Sequence, residues 1–207
     1  MCSFKADMDL AIEDGATPLL AATANGHEEV VRALCEAGAD KDRAKATGVT
    51  PLMVASFSGR LGLVELLCKA NADMEKAGPD GTTPLLIASS KGHGEIVQAL
   101  CRAGAANRID PLVQASTAGD LNVVRTFIEA GADLNGHAWN GDTPLSAAVA
   151  SGQLEVVRYL CASNANVHQA ALDGQTPLAA ATANGCAEVE EVLRSCGAKQ
   201  LLRSPSS

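Results

Sequence analysis

Thr17-Pro18-Leu19 opens a short stretch that closes at Gly26-His27, and its opening returns at Thr50-Pro51-Leu52, Thr83-Pro84-Leu85, Thr143-Pro144-Leu145 and Thr176-Pro177-Leu178. Asp110-Pro111-Leu112 is a weaker copy. The prolines at 18, 51, 84, 111, 144 and 177 step by 33, 33, 27, 33 and 33 residues. Periodicity on this scale marks a chain built from supersecondary units that bury their apolar faces only by stacking on one another.

Each residue of the triplet has a physical role. A Thr or Asp side-chain oxygen caps a helix, and proline suits the first helical position, where no amide donor is missed. Glycine follows eight residues after each proline, at Gly26, Gly59, Gly92, Gly119, Gly152 and Gly185, so a helix of about two turns is expected to end there in a left-handed turn. A second helix carries the apolar pairs Val30-Val31, Leu63-Val64, Ile96-Val97, Val123-Val124 and Val156-Val157. It stops at Gly38, Asn71, Gly104, Gly131, Asn164 and Gly197, the two residue types that best tolerate left-handed backbone. The stretches that follow, such as Ala46-Thr47-Gly48 and Asn140-Gly141, read as hairpin-like fingers joining one helix pair to the next.

Helix, turn, helix and finger at this period resemble the ankyrin repeat. T-P-L opens the repeat, Gly26-His27 and Gly92-His93 mark the first turn, and Gly38-Ala39-Asp40 and Gly131-Ala132-Asp133 follow the second helix. The fold class this implies is all-α, an ankyrin-like helix-turn-helix solenoid with fingers between repeats. The expected layout is the tail of a truncated repeat over residues 1–13, six repeats over 14–199 with a shortened junction near 105–110, and a disordered tail over 200–207. Cys2 and Ala6-Asp7 align with Cys35 and Ala39-Asp40, so the chain is expected to extend upstream in its natural context. Val189 followed by Glu190 and Glu191 reads as a solvent-facing C-terminal cap. One departure concerns the residue after T-P-L. The family usually places a finger-bracing His there, whereas this chain has Leu20, Met53, Leu86, Val113, Ser146 and Ala179, so its fingers are expected to be more mobile.

Composition narrows the function. A formal charge of -8 and a pI near 4.9 disfavour nucleic-acid and anionic-membrane surfaces, and no apolar run or export signal suggests membrane insertion or secretion. The expected location is cytoplasmic, with the nucleus also open. Five cysteines, Cys2, Cys35, Cys68, Cys101 and Cys161, share one repeat position, and Ile128 fills it in the fourth repeat. Helices packed about 8–10 Å apart hold such residues too far from one another for disulfides, so the ladder reads as small core side chains. Cys186 and Cys196 stand outside it as the more reactive pair. His27 and His93 read as turn residues too far apart to share a metal, and His137 and His168 as exposed finger residues.

No phosphate loop, nucleophile elbow, H-E-x-x-H or paired C-x-x-C motif is present, and no catalytic, cofactor-binding or metal-ligating residue can be named. The chain reads as a non-enzymatic scaffold for a protein partner, with no small-molecule substrate or cofactor. The alternative is the targeting segment of a larger enzyme, channel or ubiquitin ligase extending upstream. The resemblance implies that fingers and first helices line a concave face where partners bind. That places Lys45, Asp80, Trp139, Asp142 and Gln175 on fingers, and Phe57 and Lys91 at first-helix ends, as candidate partner-binding residues. Trp139 and Phe57 lead the set because aromatic residues are scarce here and anchor many interfaces. The competing reading folds Trp139 over its own finger and packs Phe57 against the next helix.

Overall fold

The computed structural model describes residues 7–197. Met1–Ala6, including Cys2, and residues 198–207, including Ser204, lie outside that range. Contacts divide the chain between Ala106 and Asn107 into two compact units.

The first unit holds α1 (Pro18–Asn25), α2 (Glu28–Glu36), α3 (Pro51–Phe57), α4 (Leu61–Lys69), α5 (Pro84–Ser90) and α6 (Gly94–Ala103). First helices pack on first helices, α1 on α3 and α3 on α5, while second helices pack α2 on α4 and α4 on α6. Leu19, Leu52 and Leu85 form one buried row and Val31, Val64 and Val97 another, each on its repeat's inner face. Val30 is exposed where its equivalents Leu63 and Ile96 are buried, since no described second helix precedes α2.

The second unit repeats the arrangement with α7 (Ile109–Ala118), α8 (Leu121–Glu129), α9 (Pro144–Ala150), α10 (Leu154–Ala162), α11 (Pro177–Ala183) and α12 (Ala187–Ser195). Helices α7, α9 and α11 stack in order, as do α8, α10 and α12. Within this unit Leu112, Leu145 and Leu178 form a buried first-helix row, and Val124, Phe127, Val157, Leu160 and Leu193 fill the space behind it.

The threonine caps form as the triplets require. Thr17, Thr50, Thr83, Thr143 and Thr176 each accept a bond from the backbone amide three residues on, at 3.1–3.3 Å, with proline at the first helical position. Asp110 departs from this. Helix α7 begins two residues ahead of its proline, with Arg108 at its cap and no side-chain cap bond. Only residues 104–108 separate α6 from α7, whereas 37–50, 70–83, 130–143 and 163–176 lie between the other pairs. The short connection pulls Asp110 into the first turn, where Pro111 still meets no helical acceptor and costs no bond.

Every left-handed turn expected between and after the helices is present. The second-helix stops have φ of 89° at Gly38, 60° at Asn71, 110° at Gly104, 77° at Gly131, 64° at Asn164 and 95° at Gly197. The fingers are hairpin turns, with no strand among the described residues. Each uses the same two bonds. Ile12, Lys45, Gly78, Ala138 and Ala171 donate to the carbonyl four residues on, and Gly15, Gly48, Gly81, Gly141 and Gly174 donate back to those five at 2.8–2.9 Å. These bonds form although none of the repeats carries the bracing His. Leu20, Met53 and Val113 are buried in its place, and Ser146 builds a polar brace of its own. The Ser146 hydroxyl accepts from the Thr143 amide at 2.8 Å and donates to Asp142 at 3.3 Å, closing a reciprocal capping box.

A second ladder, absent from the sequence reading, ties successive loops. The amides of Asp40, Asp73 and Ala106 donate to Asp9, Asp42 and Glu75 side chains in the first unit, and Asn166 donates to Asn135 in the second, at 2.7–2.9 Å. The aspartate of the G-A-D signature sits beside it. Asp40, Asp73 and Asp133 each accept from the amide two residues on, which locks the local turn.

Inside the first helices, the Thr23, Ser116 and Thr182 hydroxyls donate to the carbonyl one turn back, at Leu19, Leu112 and Leu178. Ser56 occupies the same register, fully buried, but its hydroxyl has no hydrogen-bond partner. A buried hydroxyl without a partner adds nothing to stability, while a bonded one contributes about 1 kcal/mol. Urea unfolding is therefore expected to show Thr23→Val losing about 1 kcal/mol and Ser56→Ala losing nothing or gaining slightly. Equal losses at the two positions would refute this account of Ser56.

Candidate partner-binding site

In the first unit, α3 ends at Phe57, a residue 57% exposed, with the Lys91 ammonium 4.4 Å from its ring centroid. Lys91 is the cap residue of α5, the equivalent helix of the next repeat, so the pair joins two first-helix ends. The His93 ring Nε2 lies 3.4 Å from the Phe57 carbonyl oxygen. The G-H histidine thus bridges to the preceding repeat as well as opening its own second helix. At the corresponding place one repeat earlier the Arg60 guanidinium lies over Gly26. Any side chain there would overlap it, so Gly26 is required for space as well as for its φ of 78°.

Lys45 is half-buried and anchors its finger through its amide, which donates to Val49 at 3.1 Å. Asp80 is exposed. Its carboxylate accepts from the Thr82 amide at 3.0 Å, and hydrogen bonding to the Thr82 side chain and then to its backbone holds its carboxyl below the usual aspartate value. The structure brings Phe57 and Lys91 together and keeps Lys45 and Asp80 on separate fingers.

In the second unit Trp139 stands at a finger tip, 87% exposed, with its amide donating to Asp110 at 2.9 Å. The exposure removes the reading in which the indole folds over its own finger. Phe57 falls between its two readings, capped on one face by a neighbouring repeat and open elsewhere. Asp142 is half-buried and engaged by Asn140 at 2.8 Å and by Ser146, while Gln175 is exposed with its amide on Asp173 at 2.8 Å. Leu172, one period after Trp139, is 73% exposed, and its amide donates to the Gly141 carbonyl at 3.0 Å. A Cβ on Gly141 would sit 2.9 Å from that of Leu172, so the two finger tips touch. Leu172 is not among the candidate residues named from the sequence; its shared register with Trp139, 33 residues on, was the available signal.

The structure corrects the expectation for one histidine and for the cysteine ladder. His137 is half-buried rather than exposed, with Nε2 3.1 Å from the Ala170 carbonyl oxygen, because neighbouring fingers stack. The ladder is only partly core. Cys101 is buried, but Cys35, Cys68 and Cys161 are half-buried, and Cys35 lines an open cleft between α2 and α4 with Glu28, Arg32, Glu65 and Lys69. Cys186 and Cys196 cap opposite ends of α12, about 15 Å of helix apart, so they do not meet. Cys196 instead lies against Cys161. Burial first, and then the hydrogen bond with Cys196, push the Cys161 thiol up to about 12. Among the described residues no three His, Cys, Asp or Glu side chains are grouped to hold a metal, and no helix is long and apolar enough to cross a membrane.

This geometry, helix pairs closed by left-handed turns and joined by hairpin fingers, is that of a helical repeat protein. The ankyrin-repeat family model matches residues 2–77, 63–138 and 112–203, and the chain belongs to that family. An ankyrin repeat domain from Acinetobacter baumannii is 30% identical with a TM-score of 0.79, over 88% of this chain and 98% of that one. The ankyrin repeat domain of Bcl-3, of the IkappaB protein family, is 26% identical with a TM-score of 0.82, over 90% and 89%. The human ASB11 ankyrin repeat domain is 24% identical with a TM-score of 0.75, over 92% and 88%. No curated protein matches significantly in sequence. Ankyrin repeats are in general protein–protein interaction modules rather than enzymes.

Thiol reactivity provides a test of the local chemistry. A thiol at about 12 holds on the order of a thousandfold less thiolate at pH 8 than an ordinary cysteine. Alkylation followed by mass spectrometry is expected to label exposed Cys196 at least about a hundredfold faster than Cys161, and Cys196→Ala to speed Cys161 labelling. The raised value also stabilises the fold below the ordinary thiol pKa, a contribution lost as pH rises towards about 12. Equal labelling rates at the two thiols would remove the contact from the account.

Proposed function

We propose that the chain is a scaffold that holds a protein partner through its finger tips and first-helix ends. The observation that carries the reading is Trp139, the chain's one tryptophan, standing 87% exposed where folding alone gives it no packing role. Phe57 supplies a second anchor, with Lys45, Asp80, Lys91, Asp142 and Gln175 as polar groups around the two. Most of these polar groups already meet local backbone or side-chain partners, so their rotamers are held in advance and little entropy is lost on docking.

A protein partner is favoured over nucleic acid by the charge of -8. A binding role is favoured over catalysis by the repeat-bound duties of the titratable groups in the fingers, which cap turns and bridge loops and bring no nucleophile to a base.

Trp139→Ala combined with Phe57→Ala is expected to remove specific partners from proximity labelling read by mass spectrometry, while helical circular dichroism stays unchanged. A partner list identical to wild type would overturn the assignment of these two residues.

A further inference from the structure

The second unit keeps its described Lys and Arg residues off the fingers around Trp139 and Leu172. Its described cations are Arg108, Arg125, Arg158 and Arg194. Arg125 lies on α8 against Tyr159, Arg158 on α10 beside Glu155, and Arg194 on α12 in a 2.7 Å ion pair with Glu190. Arg108, at the start of α7, directs its guanidinium to the Ala130 carbonyl at 2.6 Å. No Lys or Arg occurs in residues 133–152 or 166–185, which make the fingers and first helices around Trp139 and Leu172. Carboxylates do occur on these fingers, Asp142 on that of Trp139 and Asp173 next to Leu172, and Asp110 reaches the Trp139 amide from the first turn of α7.

The first unit shows what the second lacks. The loop and finger after α2 carry Lys41, Arg43 and Lys45, and the first unit's exposed aromatic, Phe57, already has the Lys91 ammonium over its ring. Trp139 offers the stronger cation–π face, more exposed, with carboxylates as its charged neighbours. Two large apolar groups on touching fingers that carry no Lys or Arg and are rimmed by carboxylates complement a particular chemistry.

We propose that the finger face of the second unit, centred on Trp139 and Leu172 and rimmed by Asp110, Asp142 and Asp173, receives an Arg- or Lys-rich protein segment that also carries aliphatic side chains. Cations stack on the indole and pair with the rim, and the aliphatic groups cover Leu172. This rests on the proposed partner-binding role of the fingers and adds the partner's chemistry.

Trp139 is the only tryptophan in the chain, so its emission reports on this site alone. The full chain is titrated with a short synthetic peptide of alternating arginine and leucine, and with its counterpart bearing glutamate for arginine. The arginine peptide is expected to shift the emission saturably, with affinity falling as salt rises, and the glutamate peptide to leave it unchanged. Asp142→Asn with Asp173→Asn is expected to weaken binding roughly tenfold, as is Leu172→Ser, while Glu155→Gln on the second-helix side changes it less than about twofold. Asp173→Asn alone, at an exposed position, keeps the test valid if the double variant misfolds, and is expected to lose about threefold.

Binding of both peptides alike, or equal losses from Glu155→Gln and the aspartate variants, would reduce the effect to general stickiness or net charge and overturn the proposal. Concentration-dependent dimerisation that Leu172→Ser abolishes would assign the face to a second copy of the chain and overturn it too. If the arginine peptide fails while Trp139→Ala with Phe57→Ala still changes the labelled partners, the partner-binding role stands and only the chemistry assigned here falls.

Discussion

The left-handed backbone after each helix is the constraint on which the rest depends. A two-turn helix cannot bury its apolar face alone, and its partner helix reaches it only if the chain reverses within a few residues. Glycine at Gly26, Gly59 and Gly92, and glycine or asparagine at Gly38 and Asn71, permit that reversal at little steric cost. Once the reversal is fixed, the spacing of Leu19, Leu52 and Leu85 places one leucine per repeat in register, and the buried row follows.

Polar groups then hold neighbouring repeats at a fixed offset. The Asp9, Asp42 and Glu75 side chains accept amides from the next loop, and His93 and Gln153 reach back to carbonyls at Phe57 and Thr117 that end the preceding first helices. These bonds satisfy backbone groups that the short helices leave open. Because this work occupies the loop carboxylates and turn side chains, the surface groups left to meet another molecule are few. Trp139 and Leu172 are the large apolar side chains left exposed in the second unit, and Phe57, beside the Lys91 ammonium, is one of those left exposed in the first.

Aromatic economy gives these positions their weight. The interior is assembled from Leu, Val and Ala, with Phe127 the one fully buried aromatic among the described residues. A core of small side chains lets thin helices approach closely and leaves no structural reason for a tryptophan at a finger tip. Leu172 reinforces the point, since the same finger position carries a large apolar group twice in succession while its equivalents in the first unit, Ala46 and Pro79, are small or ring-closed.

The sequence by itself determined the repeat period, the helix starts, the turn positions and the family, because each rests on backbone rules that act within a few residues: a threonine cap, a proline at the first helical position, a glycine at positive φ. It also named Trp139 and Phe57, from composition and register. Tertiary structure alone decided the matters that depend on neighbours far along the chain. Asp110 lost its cap role because a short connection moved the helix start, and His137 was half-covered because fingers stack. Cys161 met Cys196 rather than remaining an isolated ladder residue, and Cys35 opened onto a cleft where a packed core was expected. The side-chain ladder through Asp42 and Glu75, and the contact that sets Leu172 beside the Trp139 finger, join residues about one repeat apart. A local pattern carries no record of which of two equivalent surfaces will face its neighbour, and the stacking of repeats supplies it.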